Sequence, residues 1–208
     1  MAIFTVNNVD LVGCAVTLGE GRHVIDEEPQ YYENNPALLR RLKNTVGMGA
    51  RFIAATGTTA ADLCQDAAQR LLDALNCSPE AVGAIVSVTQ TPDHGMPGNA
   101  HVLHRRLGLP TTASAHDLNM GCSGFVYGLS VAAMLAEHRV DNVLLVAGDT
   151  LSRRVDPEDR AVAPLFGDAG SAALLRHVPG AAPMHFCLAQ TAADWTSFRC
   201  LPRVDFSP

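Results

Sequence analysis

Two hydrophobic rhythms alternate along this chain. From Thr59 onward Leu63, Ala67, Leu71 and Leu75 recur at four-residue steps, and Thr59 with Asp62 three positions later forms a capping box, which predicts an amphipathic helix stopping at Asn76. Ala84 to Thr89 is an Ile/Val-rich run between helical segments and reads as an interior strand. Val9 to Val16 reads as an earlier strand, and Pro36 to Asn44 as a short helix ended near Gly47 and Gly49. Gly98 to Leu107 can form a helix closed by Gly108 and Pro110, and Ala113 to Leu118 a strand delivering the chain to Gly121 and Cys122. Ser123 to Glu137 is a helix apolar on nearly every face, as in the middle of a protein. Asn142 to Ala147, Ser171 to Arg176 and His185 to Gln190 read as further strands. Helices alternating with strands in this way predict an α/β protein with a mostly parallel sheet covered on both faces. No repeat or linker divides residues 1–208 into two domains.

Composition narrows the function classes. With 48% hydrophobic and 17% charged residues the chain is a well-buried globular protein, and its low charge points to a subunit interface. A net charge of −6 gives no basic surface for phosphates, which argues against nucleic acid as a partner. The first residues lack a signal-peptide pattern, which leads us to expect a cytoplasmic location. The longest apolar run, Phe125 to Ala136, is too short to cross a bilayer. Six cysteines are scattered without a CxxC pair or a His/Cys cluster, so neither metal nor disulfide framework is expected, and the default reading of each is a small buried hydrophobe.

Cys122 stands apart from the other five. A cysteine where a strand ends and a helix begins gains from the helix dipole, which favours thiolate, and from free N–H groups that can receive negative charge. Gly121 and Gly124 beside it would let a substrate approach the backbone. The segment Asp117-Leu118-Asn119-Met120-Gly121-Cys122-Ser123-Gly124-Phe125-Val126-Tyr127-Gly128-Leu129 resembles the active-site segment of β-ketoacyl-ACP synthase III enzymes, the ketosynthase III branch of the thiolase superfamily. A second block, Asp156-Pro157-Glu158-Asp159-Arg160 followed by Leu165 to Leu175, is similar to that family's DPxDR and FGDGAGA segments. Weaker similarity runs from Val46 to Ala54 and from Ala84 to Pro97.

The resemblance implies the amino-terminal half of a thiolase-like αβαβα fold, with Leu201-Pro202 near the end of the first of two duplicated halves. It implies ping-pong acyl transfer in fatty-acid or polyketide-like biosynthesis. Cys122 takes an acyl group from a thioester, and the enolate of a decarboxylated malonyl-carrier thioester then attacks it. It gives Arg153 a place in binding the donor and Leu165 and Phe166 places in the acyl pocket. It sets Met96 at a position that reaches across a dimer into the partner's pocket. Acyl-CoA or acyl carrier protein would be the partner, with no cofactor beyond that thioester. Arg41 stands where the family's adenine-stacking tryptophan is expected, and Thr45 where a contact arginine is usual, which favours a carrier-protein thioester or an unusual CoA ester. The His and Asn that polarise the malonyl thioester come from the family's carboxy-terminal half. They would be supplied by a complementing half, with the chain otherwise a homodimer; the alternative is a noncatalytic subunit or truncated remnant.

Two competing folds fail on spacing. A hydrolase nucleophile elbow needs glycine two residues before the nucleophile, where Met120 stands. A dinucleotide site needs a third glycine where Gly47-Met48-Gly49 continues to Phe52.

Overall fold

Burial on both faces organises the centre of the molecule. The computed structural model describes residues 1–29, 34–47, 49–159 and 162–189. Its strands are β1 (Ala2–Val6), β2 (Val9–Leu18), β3 (Gly21–Val24), β4 (Ala50–Ile53), β5 (Ala84–Val88), β6 (Ser114–Leu118), β7 (Val143–Thr150), β8 (Asp168–His177) and β9 (Met184–Leu188). Its helices are α1 (Pro36–Val46), α2 (Ala60–Ala74), α3 (Asn99–Arg106) and α4 (Gly124–Glu137). The main sheet runs in the order β2-β8-β7-β5-β6, with separate β1-β9 and β3-β4 ribbons.

Helix boundaries follow from local chemistry. Asn35 Oδ1 accepts from the N–H groups of Ala37 and Leu38 at 3.0 and 3.3 Å, Pro36 follows, and Gly47 at φ 73° closes α1. The predicted capping box of α2 is present: Thr59 Oγ1 accepts from Asp62 N at 3.2 Å, and Asp62 Oδ2 accepts from Thr59 N at 2.8 Å. Burial works to raise the Asp62 carboxyl, but its bonds to Thr59 and Arg106 outweigh that and hold it below the usual range.

Along β7 the side chains alternate between two cores. Leu144 and Val146 pack with Leu71 and Leu72 of α2 and Leu103 of α3. Val143 and Leu145 pack with Ala132, Ala133 and Ala136 of α4. Each fully buried leucine or valine contributes about 1.5–3 kcal/mol relative to exposure, so a strand buried on both faces must be apolar throughout. The β1-β9 ribbon extends the α4 side, with Phe4 stacked on Phe186 at 5.2 Å.

Two expectations change. The sheet is mixed: β5 pairs in parallel with β6 and β7, whereas β8 is antiparallel to β7 and to β2. A parallel return needs a helical crossover, and among the described residues the β7–β8 connection holds only the single turns Leu151–Arg153 and Ala163–Leu165. The second change concerns α4, which is half buried. Gly124, Gly128, Ser130 and the alanines face the sheet, while Phe125, Val126 and Met134 are 41%, 48% and 38% exposed. An all-round apolar sequence cannot reveal which face a helix buries.

β8 is rich in small residues because α2 lies directly on it. A β-carbon at Gly170 would collide with the backbone of Leu63 and Cys64. At the start of β8, Asp168 is 1% exposed and holds three segments together. Its carboxylate accepts from Ala54 N at 2.8 Å, Ser152 N at 3.0 Å and Ser152 Oγ at 2.6 Å.

Candidate active site

The carboxyl ends of β5, β6 and β7 and the amino end of β8 lie at one edge of the sheet, since Val88 is level with Leu118 and Ala147, and Thr150 with Asp168. In open α/β sheets this edge is where ligands bind. Cys122 stands there, in the turn from β6 to α4, immediately before the N-cap Ser123, and is exposed. The turn is tight, Gly124 N donating to Gly121 O at 2.7 Å. Ser123 makes no side-chain cap, and among the described residues the N–H groups of Cys122, Ser123 and Phe125 have no acceptor. An exposed thiol beside free donors at a helix amino terminus can attack a carbonyl and hold the oxyanion that forms.

The flanking glycines have different tasks. Gly124 sits where a β-carbon would meet Val88 Cγ1 at 2.5 Å, and Gly128 where one would meet Val88 and Leu145 at 2.7 Å. Gly124 therefore lets α4 close on the sheet, and a β-carbon at Gly121 would meet only the Gln90 carboxamide, Oε1 at 3.3 Å.

Beside the turn lies a polar cluster that the sequence reading passed over. Asp149 Oδ1, near the end of β7, accepts from Thr89 Oγ1 (2.9 Å), Gln90 N (2.6 Å), Thr91 N (3.1 Å) and Thr91 Oγ1 (3.1 Å). Its Oδ2 accepts from Gln90 Nε2 at 3.3 Å. The available signal was a carboxylate directly after a buried apolar strand, at its carboxyl end.

A family model described as 3-oxoacyl-[acyl-carrier-protein (ACP)] synthase III matches residues 116–192, the stretch that holds Cys122. A Campylobacter jejuni protein provisionally named 3-oxoacyl-[acyl-carrier-protein] synthase 3 is 38% identical over 164 residues, 78% of this chain and 46% of that protein. A Rhodopirellula baltica β-ketoacyl-[acyl-carrier-protein] synthase III is 43% identical over 130 residues, 62% of this chain and 37% of the relative. The solved 3-oxoacyl-(acyl-carrier protein) synthase of Burkholderia xenovorans LB400 superposes with a TM-score of 0.84 at 31% identity, covering 88% of this chain and 52% of that one. The chain is similar to 3-oxoacyl-ACP synthase III proteins, and the match to their family model includes the Cys122 turn. It spans about half the length of the relatives it matches, and its fold is the thiolase-like α/β arrangement of that family's structures.

Within this synthase III frame the expected site residues fall in separate places. Arg153 and Phe166 line a cavity of about 470 Å³, together with His23, Glu28, Arg51 and Ser152. Arg153 Nη2 donates to Ala55 O at 2.6 Å. Arg51 grips Glu28 through two bonds of 2.8 and 3.0 Å, and His23 Nδ1 is 3.1 Å from the same carboxylate. These three residues were not singled out from sequence, because Arg51 and Glu28 meet only when β3 and β4 pair. Leu165 is 47% exposed and Met96 89% exposed, and neither they nor Cys122 line this cavity. Ser152 and Arg153 directly follow β7 and Cys122 follows β6, with β5 between those strands, so cavity and thiol stand at the same edge of the sheet on different strands. Arg160 and Leu201-Pro202 lie outside the described residues.

The other cysteines differ from the buried-hydrophobe reading. Cys14 and Cys187 are exposed on β2 and β9, Cys77 is half-buried, and Cys64 alone is buried; Cys200 lies outside the described residues. Burial pushes the Cys64 thiol up from 9.0 to about 12. Its folded-state value is raised, so the contribution is intact below pH 9 and is lost as the pH climbs toward 12, where the unfolded thiol ionises first. Denaturant titrations should show wild type losing stability through this window more steeply than Cys64→Ala, and iodoacetamide should spare Cys64 in the folded chain at neutral pH. Equal slopes would show that the thiol does not titrate as its burial requires.

Among the described residues no helix is long and apolar enough to cross a membrane, and no group of His, Cys, Asp and Glu could hold a metal ion.

Proposed function

We propose that this chain carries the acyl-accepting part of a 3-oxoacyl-ACP synthase III reaction in fatty-acid or polyketide-like biosynthesis. Cys122 Sγ attacks the carbonyl carbon of an acyl thioester, and the free N–H groups of the Cys122 turn hold the oxyanion. Collapse of the tetrahedral intermediate expels the donor thiolate and leaves the acyl group on Cys122. A malonyl-carrier thioester then loses CO₂, and its α-carbon attacks the acyl carbon and releases Cys122. The observation that carries this reading is the exposed thiol at an uncapped helix start, inside the stretch that matches the family.

Arg153 and Phe166 would receive the donor or acyl group, Leu165 would extend that wall, and Met96 would close the pocket of a partner subunit. The donor is an acyl carrier protein thioester or an acyl-CoA. The exposed apolar side of α4 supports association with a second copy or with a complementing half that brings the decarboxylating His and Asn.

Incubating the 208-residue chain with acyl thioesters and with malonyl-carrier thioester separates the two half-reactions. Slow formation of one acyl adduct without CO₂ release is expected, because losing members of a concerted catalytic set costs orders of magnitude. Steady condensation by this chain alone would overturn the assignment of decarboxylation to groups outside it.

A further inference from the structure

Gln90 sits between the Asp149 cluster and the Cys122 turn. Its Nε2 donates to Asp149 Oδ2 at 3.3 Å, and its backbone N–H to Oδ1 at 2.6 Å. A carboxylate accepts and cannot donate, so the NH₂ end of the carboxamide is committed to Asp149 and the carbonyl Oε1 faces away. The direction it faces is the Cys122 turn. A β-carbon at Gly121 would meet Gln90 Oε1 at 3.3 Å and Cδ at 3.7 Å, with no other non-neighbouring atom within 4 Å. The orientation is fixed, since Thr89, Thr91 and the Gln90 backbone together anchor Asp149.

Among the described residues Oε1 receives no hydrogen bond. The Cys122 turn thus has free N–H donors and, next to Gly121, an unused acceptor whose carboxamide is held by Asp149. A small molecule complementary to both has an electrophilic carbonyl at the sulfur and an N–H a few atoms along its arm. On the reading of Cys122 as acyl acceptor, we infer that Gln90 is a substrate-positioning residue whose Oε1 accepts the amide N–H of the donor's thiol arm. Asp149 acts through Gln90 and is a positioning residue in turn. Donors of this class are thioesters of amide-bearing thiols, as opposed to simple alkyl thioesters.

The test uses alkylation, which needs no acyl transfer. Iodoacetamide and methyl iodoacetate are close in size, but only the first carries an amide N–H. Their rate ratio is read by peptide mass spectrometry at Cys122, with exposed Cys14 and Cys187 as internal references. In wild type the ratio at Cys122 should exceed that at Cys14 by about three- to tenfold, the size of one neutral hydrogen bond. Gln90→Leu should bring it down to the Cys14 value, and Gln90→Met gives the same readout if the leucine variant folds poorly. Asp149→Asn, which frees the carboxamide to invert, should give an intermediate ratio. A ratio at Cys122 equal to that at Cys14 in wild type, or unchanged in Gln90→Leu and Gln90→Met, would overturn the role of Gln90. Failure of thioesters to acylate Cys122 would instead count against the proposed function, and the alkylation ratios would still be readable.

Discussion

Cys122→Ala is expected to abolish acyl-adduct formation, a loss on the order of a thousandfold or more, because a covalent mechanism has no route around its nucleophile. The variant should keep its fold, since the side chain is exposed and contributes nothing to either core. Cys64→Ala and Cys187→Ala should retain the adduct. Cys64 is buried with its thiol pushed up to about 12, and Cys187 is exposed on a strand with no helix terminus to stabilise thiolate or oxyanion. Intact-mass measurement on the three variants checks this directly. Label persisting in Cys122→Ala would remove Cys122 from its role.

The second large effect is structural. Gly170→Ala would drive a β-carbon into the α2 backbone at Leu63 and Cys64, and neither of those atoms is the end of a flexible chain. Overpacking costs about 1–3 kcal/mol when side chains can yield and more when they cannot, so about 3 kcal/mol is expected. For a chain of this size that lowers Tm by roughly 6–12 °C. Gly49→Ala is the control, with nothing within 4 Å of its added carbon, and should stay within about 0.5 kcal/mol of wild type. A thermal scan in which both variants melt together would show that α2 does not rest on β8 as described.

These two sites also mark how far the sequence could be read. Signals that are local and chemically specific were legible. The Thr59/Asp62 box opened a helix where expected, the Ala84 and Asn142 apolar runs became interior strands, and Cys122 fell at the strand-to-helix turn. The direction of β8 was not legible, because it depends on whether the β7–β8 connection contains a crossover helix, and the strand's own residues carry no sign of it. Strands β1, β3 and β4 were missed because they lie in the two-stranded ribbons outside the main sheet, lack a fully buried apolar run like Ala84–Val88, and gain their pairing from a partner far along the chain. Gln90 and Asp149 were missed for the same reason. They are 59 positions apart, and their relation exists only once β5 and β7 lie side by side. The small residues of β8 were legible as a family motif, yet their purpose is visible only with α2 in place.

The most direct test of the account is peptide mapping of the wild-type chain after incubation with acetyl-CoA and, separately, with an acetyl-carrier thioester. The expected result is a single acetyl group on the peptide containing Cys122, with Cys14 and Cys187 unmodified although they are also exposed. Acetylation confined to Cys14 or Cys187, or no adduct from either donor while iodoacetamide labels Cys122 freely, would contradict the claim that Cys122 is the acyl-carrying residue.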